Sequence, residues 1–438
     1  MTADQIIALL VLAAVVAALI WGKLRADVVA LCGAAVLLAT GTVRPVEVQG
    51  AFASPALIAL ASLFVIAYAL EVSGFLDLLI RLASRLCKRL GQFGLWLVIA
   101  GCGAASAFLN NTPIVVLSAP VVRDVARSLG ASPKRFLIPL SYVTILGGAC
   151  TLIGTSTNLL VNDMARTAGQ PTFGLFEMAP VGLAVAAAGA LYLLLIGGPM
   201  LSGGGGAEAD PDAATPRPQE DPHGRGAFAG HAEVFTEPRP LKVRAALLSI
   251  GVFAGVVAVA AAGWLPIAAA ALAGAVLLIV LRVISAEDAY SGLRPDVLLL
   301  VAGMVVIGLA LEVTGLATAA TRTVAGLTDR IGPFGALILI YGATLILTEI
   351  LSNAAVAVLL TPVAIALAES LGVSPRPFMI AVMMGASAAF ATPFGYQTNV
   401  LVYQMGKYTY GDFVRVGLPL NLLTWLVGVL AIRAFFPF

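Results

Sequence analysis

Long apolar runs alternate with short polar breaks along almost the whole chain. Apolar runs of about 20 residues are expected to form membrane-spanning helices. In the first half, the pattern predicts spans at 5–21, 27–42, 54–72, 136–165 and 178–198. In the second half, it predicts spans at 244–262, 266–284, 295–313, 376–405 and 416–436. The predicted fold class is therefore an all-α polytopic membrane protein.

The second half of the chain repeats the first in the same order. Four paired segments lie 241 or 242 residues apart: ALEVSG (69–74) with ALEVTG (310–315), LNNTPIVVLSAPV (109–121) with LSNAAVAVLLTPV (351–363), LGASPKRF (129–136) with LGVSPRPF (371–378), and GTSTNLLV (154–161) with GYQTNVLV (395–402). Each half contains an odd number of predicted spans, so the two copies must cross the membrane in opposite directions. The sequence thus predicts a five-plus-five inverted repeat.

Polar breaks at matching positions interrupt both halves. Segments 93–128 and 334–370 each contain an apolar arm, a polar break and a second apolar arm, which is typical of a re-entrant helical hairpin. The loops GTSTN (154–158) and TPFGYQTN (392–399) interrupt the spans that contain them and predict two broken helices. Irregular backbone is tolerated at membrane depth only where it lines a cavity or is buried in protein. These four breaks are therefore the candidate site.

Composition changes abruptly between the two halves. Residues 199–243 are rich in glycine, proline and acidic residues and have no periodic apolar positions, which indicates a flexible linker. The predicted organisation is a first inverted repeat at 1–198, this linker, and a second inverted repeat at 244–438.

Overall composition and charge placement refine this prediction. With 60% hydrophobic residues, 11% charged residues and a mean hydropathy of +1.01, the chain cannot hide its apolar surface in a soluble core. Most of the 25 lysines and arginines fall on the side of the linker. The positive-inside rule then places the linker in the cytoplasm and the N-terminus outside, in a membrane such as the bacterial inner membrane.

The predicted spans contain no arrangement typical of an enzyme. Both histidines, His223 and His231, lie in the linker, so the spans offer no histidine base and no metal-ligand cluster. The four cysteines lie in or beside apolar segments at irregular spacing and are interpreted as packing residues. We expect no enzymatic activity, no organic cofactor and no nucleic-acid partner.

The polar breaks suit the binding of ions. Carbonyls freed at a helix C-terminus, together with Ser, Thr and Asn oxygens, are hard ligands appropriate to sodium, whereas half-helix N-termini present amides to an anion. Ser106 lies four residues before Asn110, and Thr348 lies four before Ser352, so each hydroxyl sits one turn behind its tip. Packing of small polar residues is the simpler alternative for these two hydroxyls.

A carboxylate also lies beside the second tip. Glu349 precedes Ser352 by three residues. A charged side chain at membrane depth lowers the stability of the protein unless it has a partner or a function. It is interpreted as a coupling carboxylate that binds a cation or carries a proton. The alternative is a structural partner for a neighbouring hydroxyl or backbone amide.

At these residues the sequence resembles a known family. The tips NNT and SNA, the GTSTN and TPFGYQTN loops and the central linker are similar to those of the divalent anion:sodium symporter family of the ion transporter superfamily. The resemblance covers almost the whole chain. It implies a homodimer embedded in lipid, elevator-type alternating access, sodium sites at the tips and a small anionic substrate between them.

The resemblance also identifies candidate site residues. The candidate substrate-binding residues are Asn110, Asn111, Thr112, Ser352, Asn353, Thr157, Asn158, Thr398 and Asn399. The candidate sodium ligands are Ser106, Asn110, Asn111, Gly154, Thr348, Ser352, Asn353 and Thr392.

Two departures from the family pattern bear on the substrate. The family carries Ser-Asn-Thr at each tip, but here Asn110 replaces the first serine and Ala354 removes the second threonine hydroxyl. The branch that the loops resemble includes sulfate permeases, many of which carry regulatory domains for which this short linker has no room. We expect sodium-coupled transport of sulfate, a similar oxyanion or a dicarboxylate. The alternatives are proton coupling, arsenite-type efflux of a metalloid oxyanion, and an anion channel.

Overall fold

Every regular element in the described part of the chain is a helix. The computed structural model describes residues 2–21, 24–201 and 240–438. The first half contains α1 (Ala3–Trp21), α2 (Ala26–Ala39), α3 (Pro45–Phe52), α4 (Pro55–Val72), α5 (Phe75–Leu90), α6 (Gln92–Ser106), α7 (Asn111–Ser128), α8 (Lys134–Gly148), α9 (Ser156–Thr167), α10 (Ala179–Tyr192) and, after a π-helical turn at Leu193–Gly197, α11 (Gly198–Met200). The second half contains α12 (Val243–Ala261), α13 (Ile267–Val280), α14 (Ala286–Gly292), α15 (Pro295–Val313), α16 (Leu316–Thr348), α17 (Asn353–Ser370), α18 (Arg376–Ser387), α19 (Gln397–Met405) and α20 (Tyr410–Phe435).

Within the described residues, 6 helices are long and apolar enough to cross a membrane. They are Pro45–Val72, Ala179–Met200, Val243–Ala261, Pro295–Val313, Asn353–Ser370 and Tyr410–Phe435. Shorter apolar helices, such as α2 and α13, lie among them. The predicted all-α membrane fold is confirmed. The predicted linker at 199–243 lies mostly outside the described residues, as do both histidines, and α12 begins at its far end.

Several residues with a positive φ angle occur in pairs, one in each half, and the two members of each pair are separated by a similar number of residues. The pairs are Gly41 with Arg282, Gly74 with Gly315, Gly91 with Gly332, Gly130 with Gly372, and Gly169 with Lys407. Gly91 separates α5 from α6, and Gly332 (φ 67°) interrupts α16, so the last part of α16 is the counterpart of α6. These positions support a duplicated unit; its inverted orientation and its boundaries stay predictions.

The helices pack in two groups that each combine both halves, and the groups contact each other where α15 packs against α17 and where α4 packs against α9. In the first group, α2 packs against α15 and α4 packs against α13. In the second group, α6 packs on α8, α16 packs on α18, and α10 packs on α20. The second arm of each hairpin also packs on the broken helix of the other half, α7 against α19 and α17 against α9. Both tips and both breaks consequently meet inside the second group, which we call the hairpin group.

Glycine permits the closest of these packings, where α6 crosses α8. A Cβ atom at Gly147 would overlap the carbonyl oxygen of Gly103. Close backbone approach through small residues is how membrane helices associate. The crossing therefore fixes the first hairpin against the first broken helix.

Gly147→Ala is expected to lower the unfolding temperature of the purified protein by several degrees. Overpacking of this kind typically costs about 1–3 kcal/mol, and the obstacle is backbone that cannot rotate away. Gly101→Ala on α6 is the control, because a Cβ atom there meets nothing within 4 Å. Equal thermal stability of the two variants would contradict the close crossing.

Ion pairs join the two halves at the ends of the hairpin group. Arg376, at the start of α18, donates to both carboxylate oxygens of Glu177, and its guanidinium carbon lies 4.4 Å from the centre of the Phe173 ring. Burial raises the pKa of Glu177, but the hydrogen bonds from Arg376 and from the Gly174 amide outweigh it, so the pKa lies below its ordinary value. Lys134, at the start of α8, lies 3.9 Å from a carboxylate oxygen of Asp412.

Candidate functional site

The first tip connects α6 to α7 through a buried hydroxyl and amide. Ser106 donates from Oγ to Oδ1 of Asn111, and both side chains are buried. The amide nitrogen of Asn111 donates to the Tyr396 hydroxyl at 2.7 Å. Asn110 caps α7, because its Oδ1 accepts from the backbone amide of Thr112 at 3.3 Å. The sequence-predicted residues of this tip are therefore close together.

The first break places several carbonyl oxygens beside this tip. Thr151 donates from Oγ1 to the carbonyl oxygen of Ala107 and accepts from the amide of Gly154 at 3.1 Å. Gly154 has no room for a side chain, because a Cβ atom there would lie 2.9 Å from the Ala107 oxygen. A Cβ atom at Gly148 would lie 2.6 Å from Oδ1 of Asn111. Carbonyl, hydroxyl and amide oxygens thus crowd around the predicted ligand Gly154.

The second tip repeats this arrangement between α16 and α17. Thr348 Oγ1 lies 2.9 Å from Oδ1 of Asn353 and 2.8 Å from the carbonyl oxygen of Ala386, and its single hydrogen is shared between these two acceptors. Ser352 caps α17, because its Oγ accepts from the amide of Ala355 at 3.3 Å. The hydroxyl and asparagine pair of the first tip, Ser106 with Asn111, therefore has a counterpart here.

The hydroxyl contact between tip and break also occurs in both halves. Thr392 donates from Oγ1 to the carbonyl oxygen of Glu349 at 3.3 Å, as Thr151 does to Ala107. Asn158 Oδ1, beside the first break, and Ser387 Oγ, beside Ala386, are buried without a hydrogen-bond partner in the described residues. Buried oxygens of this kind are uncommon and are available to a ligand. Each half thus gathers hard oxygen atoms around its tip.

The first turns of α9 and α19 brace the breaks. Asn158 donates from Nδ2 to the Thr151 carbonyl at 2.9 Å, and Asn399 donates to the Ala389 carbonyl at 2.8 Å. Ser141 on α8 donates to Asn399 Oδ1 at 2.7 Å, and its Oγ also lies 2.8 Å from the hydroxyl oxygen of Thr398. These contacts satisfy carbonyls that the interrupted helices release.

All four predicted substrate-binding residues of these two turns are buried, namely Thr157, Asn158, Thr398 and Asn399. Their direct contact with the substrate stays a prediction. The observed geometry supports a bracing role, because the amides of both asparagines point to backbone carbonyls.

Glu349 is surrounded by hydrogen-bond donors. Its Oε1 accepts from the backbone amides of Phe390 and Ala391 at 2.9 and 2.8 Å and from Asn421 Nδ2 at 2.6 Å. Its Oε2 accepts from the amide of Thr392 at 2.9 Å. Consecutive amides that converge in this way form an anion-binding concavity. The coupling role predicted for Glu349 stays a prediction, and this geometry supports the structural alternative.

A small cavity separates the first tip from the first helix group. It has a volume of about 30 Å³ and is lined by Asn110, Gly154 and Ser156 on one side and by apolar residues of α4 and α12, including Phe64 and Phe253, on the other. A cavity of this size holds about two water molecules. The polar tip therefore faces an apolar wall.

Sequence reasoning missed several residues of the site. Thr151 is one of them, and because it lies 241 residues before Thr392, which was predicted as a sodium ligand, the internal repeat could have identified it. Tyr396 and Gln397 occupy the two places where the loops GTSTN and GYQTN differ. Asn421 carried no signal, because a single polar residue in a long helix is usually a packing residue.

Comparisons with known proteins identify the family. The family model described as Citrate transporter matches residues 16–368 and 351–438. The chain belongs to the citrate transporter family. An uncharacterized transporter of Synechocystis is 26% identical, and the alignment covers 96% of this chain and 95% of that protein. Sodium/sulfate cotransporter 1 of Chlamydomonas reinhardtii is 35% identical over 35% of this chain and 17% of its own length.

A solved structure shares the fold of this family member. The YdaH transporter of Alcanivorax borkumensis superimposes with a TM-score of 0.61 and 15% identity, covering 88% of this chain and 86% of that one. Together with the relatives, this confirms the resemblance to the divalent anion:sodium symporters of the ion transporter superfamily. The protein is an integral membrane protein of a transporter family.

Proposed function

We propose that the protein is a sodium-coupled symporter of a small divalent anion, with sulfate or a similar oxyanion preferred over a dicarboxylate. The observation that carries this proposal is the repeated oxygen cluster at the two tips. In each half a hydroxyl, an asparagine oxygen and carbonyl oxygens lie around one tip. The hydroxyl and the asparagine are Ser106 and Asn111 at the first tip, and Thr348 and Asn353 at the second. Such neutral oxygens are suitable ligands for sodium.

The anion is held without a basic side chain. Neither the tips nor the breaks contain lysine or arginine, whereas α7, α9, α17 and α19 all begin at a tip or a break. The N-terminus of a helix carries unsatisfied amides and a partial positive charge, which together bind anions. Bound sodium adds positive charge beside them, so that occupancy of the cation sites strengthens binding of the anion.

Sodium rather than a proton is the coupling ion in this proposal. A carboxylate that carries a proton must release and regain it, but the oxygens of Glu349 face four donors. These donors hold the carboxylate in place, which supports a structural role for Glu349 beside the second tip. The sodium-dependent activity named for the Chlamydomonas relative supports the same ion.

Movement of the hairpin group against the apolar wall would complete the cycle. We infer an elevator-type motion in which the hairpins and broken helices slide past α4 and α12, carrying the site from one membrane face to the other. The first helix group then serves as the scaffold and as the contact of a homodimer in the bacterial inner membrane, with the N-terminus outside. Cysteine labelling at Ala207 and near the N-terminus tests this topology, and labelling from the same side would contradict it.

Substrate identity is tested by competition. Purified protein in liposomes should take up labelled sulfate under an inward sodium gradient, and unlabelled sulfate should inhibit more strongly than phosphate, succinate or citrate. Uptake of succinate that exceeds uptake of sulfate under the same gradient would contradict the preference.

Ala354→Thr is expected to improve dicarboxylate binding relative to sulfate binding. The substitution supplies the hydroxyl that the first tip has at Thr112, and one hydrogen bond contributes about 0.5–1.5 kcal/mol, or more when its partner is charged. The ratio of the inhibition constants of succinate and sulfate measures the effect. Ala357→Ser, one turn further along α17 and buried, is the control and should leave the ratio unchanged.

A further inference from the structure

The two break loops differ in the residues that face the first tip. The first loop reads GTSTN (154–158) and the second GYQTN (395–399), so Tyr396 and Gln397 stand where the first loop has Thr155 and Ser156. The glycine, the second threonine and the asparagine are the same in both loops. The difference is therefore confined to two adjacent positions, and both residues are larger in the second loop.

These two larger side chains reach across the repeat interface. The Tyr396 hydroxyl accepts from Asn111 Nδ2 at 2.7 Å, and Thr155 lies within hydrogen-bonding reach of the same hydroxyl. Gln397 Oε1 accepts from Thr112 Oγ1 at 3.2 Å. The polar side chains that the first tip could offer to a substrate are thus held by the second loop.

The opposite side of the interface has less side-chain volume. Ala354 stands at the second tip where Thr112 stands at the first, so it has no hydroxyl to offer the first loop. Ser156, the counterpart of Gln397, lines the small cavity beside the first tip. The cavity leaves space next to Ser156, whereas Tyr396 and Gln397 fill the other side of the interface.

We propose that Tyr396 and Gln397 set the upper size limit of the transported anion. A compact tetrahedral dianion fits beside them, using the amides of the half-helix N-termini. An extended dicarboxylate would have to displace Gln397 from Thr112 and Tyr396 from Asn111, and the second displacement would leave the buried Asn111 amide without its partner. The inference rests on the proposed function in one respect, namely that the anion binds at the tips.

The test copies the first loop into the second. In the double variant Tyr396→Thr/Gln397→Ser, both loops carry the same residues and the interface loses side-chain volume. We measure the thermal stabilisation of the purified protein by sulfate, oxalate, malonate and succinate in sodium buffer. The succinate affinity relative to sulfate should rise at least tenfold in the double variant, with malonate in between.

Two further variants keep the test decisive. Gln404→Ser on α19 makes one of the same substitutions at an exposed position away from the tip, and the affinity ratio should stay at its wild-type value. Tyr396→Phe keeps the ring and removes the hydroxyl, so the ratio should rise less than in the double variant, and a rise as large as that of the double variant would overturn a limit set by side-chain size.

An unchanged ratio in the double variant would overturn the size limit. If that variant does not fold, Gln397→Ser alone, at an exposed position, must raise the ratio at least threefold, and no rise would overturn the proposal. These binding measurements need no transport. Failure of sodium-driven uptake would contradict the proposed function, whereas failure of the size dependence would contradict only this inference.

Discussion

Glu349→Ala is expected to abolish transport and to cause the largest loss of thermal stability of any single substitution at the site. The change leaves the amides of Phe390, Ala391 and Thr392 and the side chain of Asn421 without their acceptor. A buried donor that loses its partner costs about 1–3 kcal/mol, so the sum is about 4 kcal/mol or more. Thermal unfolding in detergent and uptake of labelled sulfate measure the two effects.

The matched control is a second carboxylate on the same hairpin. Glu369, near the end of α17, is exposed and accepts from Gln170 Nε2 at 3.0 Å. Glu369→Ala should change the unfolding temperature little, because an exposed acceptor is replaced by water. A different outcome would identify Glu349 as the proton carrier. In that case a proton gradient drives sulfate uptake by the wild type, and the folded Glu349→Ala protein still takes up sulfate but no longer responds to the proton gradient.

Thr348→Ala is expected to raise the sodium concentration for half-maximal uptake about 10- to 100-fold. The hydroxyl lies between Asn353 Oδ1 and the Ala386 carbonyl, among the oxygens proposed to bind sodium. A contact to a charged group contributes about 1.5–3 kcal/mol, and 1.4 kcal/mol corresponds to a factor of ten. Thr348→Ser retains the hydroxyl and should restore most of the affinity.

Thr344→Ala provides the matched control for this prediction. Thr344 lies one turn earlier on α16, is equally buried, and donates to the carbonyl of Ile340 in its own helix at 2.6 Å. Its loss should leave the sodium requirement within about twofold of wild type. Equal shifts in the two alanine variants would show that packing, and not cation binding, explains the sodium dependence.

Many of the helices could be predicted from the sequence, because a helix that crosses the bilayer needs a run of about 20 apolar residues. The helices α1, α4, α12 and α15 begin and end within a few residues of the apolar runs from which they were predicted. The tips could be located because Asn111 and Asn353 interrupt apolar runs at matching positions. Short helices such as α3 and α14 carry no comparable apolar signal and were not predicted.

The partners of the site residues could not be predicted in the same way. Contacts such as Asn111 with Tyr396 join residues 285 positions apart, and their geometry depends on how the halves pack. The sequence showed that Glu349 needs a partner, but only the structure shows that the partners are consecutive amides of the second break and Asn421. Local pattern identifies breaks and caps, whereas the choice of hydrogen-bond partner is a property of the tertiary structure.

Sulfate uptake by purified protein in liposomes, driven by one ion gradient at a time, tests the central claim most directly. With equal pH on both sides, an inward sodium gradient should concentrate labelled sulfate inside the liposomes, and replacing sodium with potassium should abolish the accumulation. With sodium absent, an inward proton gradient should produce no accumulation. Accumulation driven equally well by protons in sodium-free buffer would contradict the account.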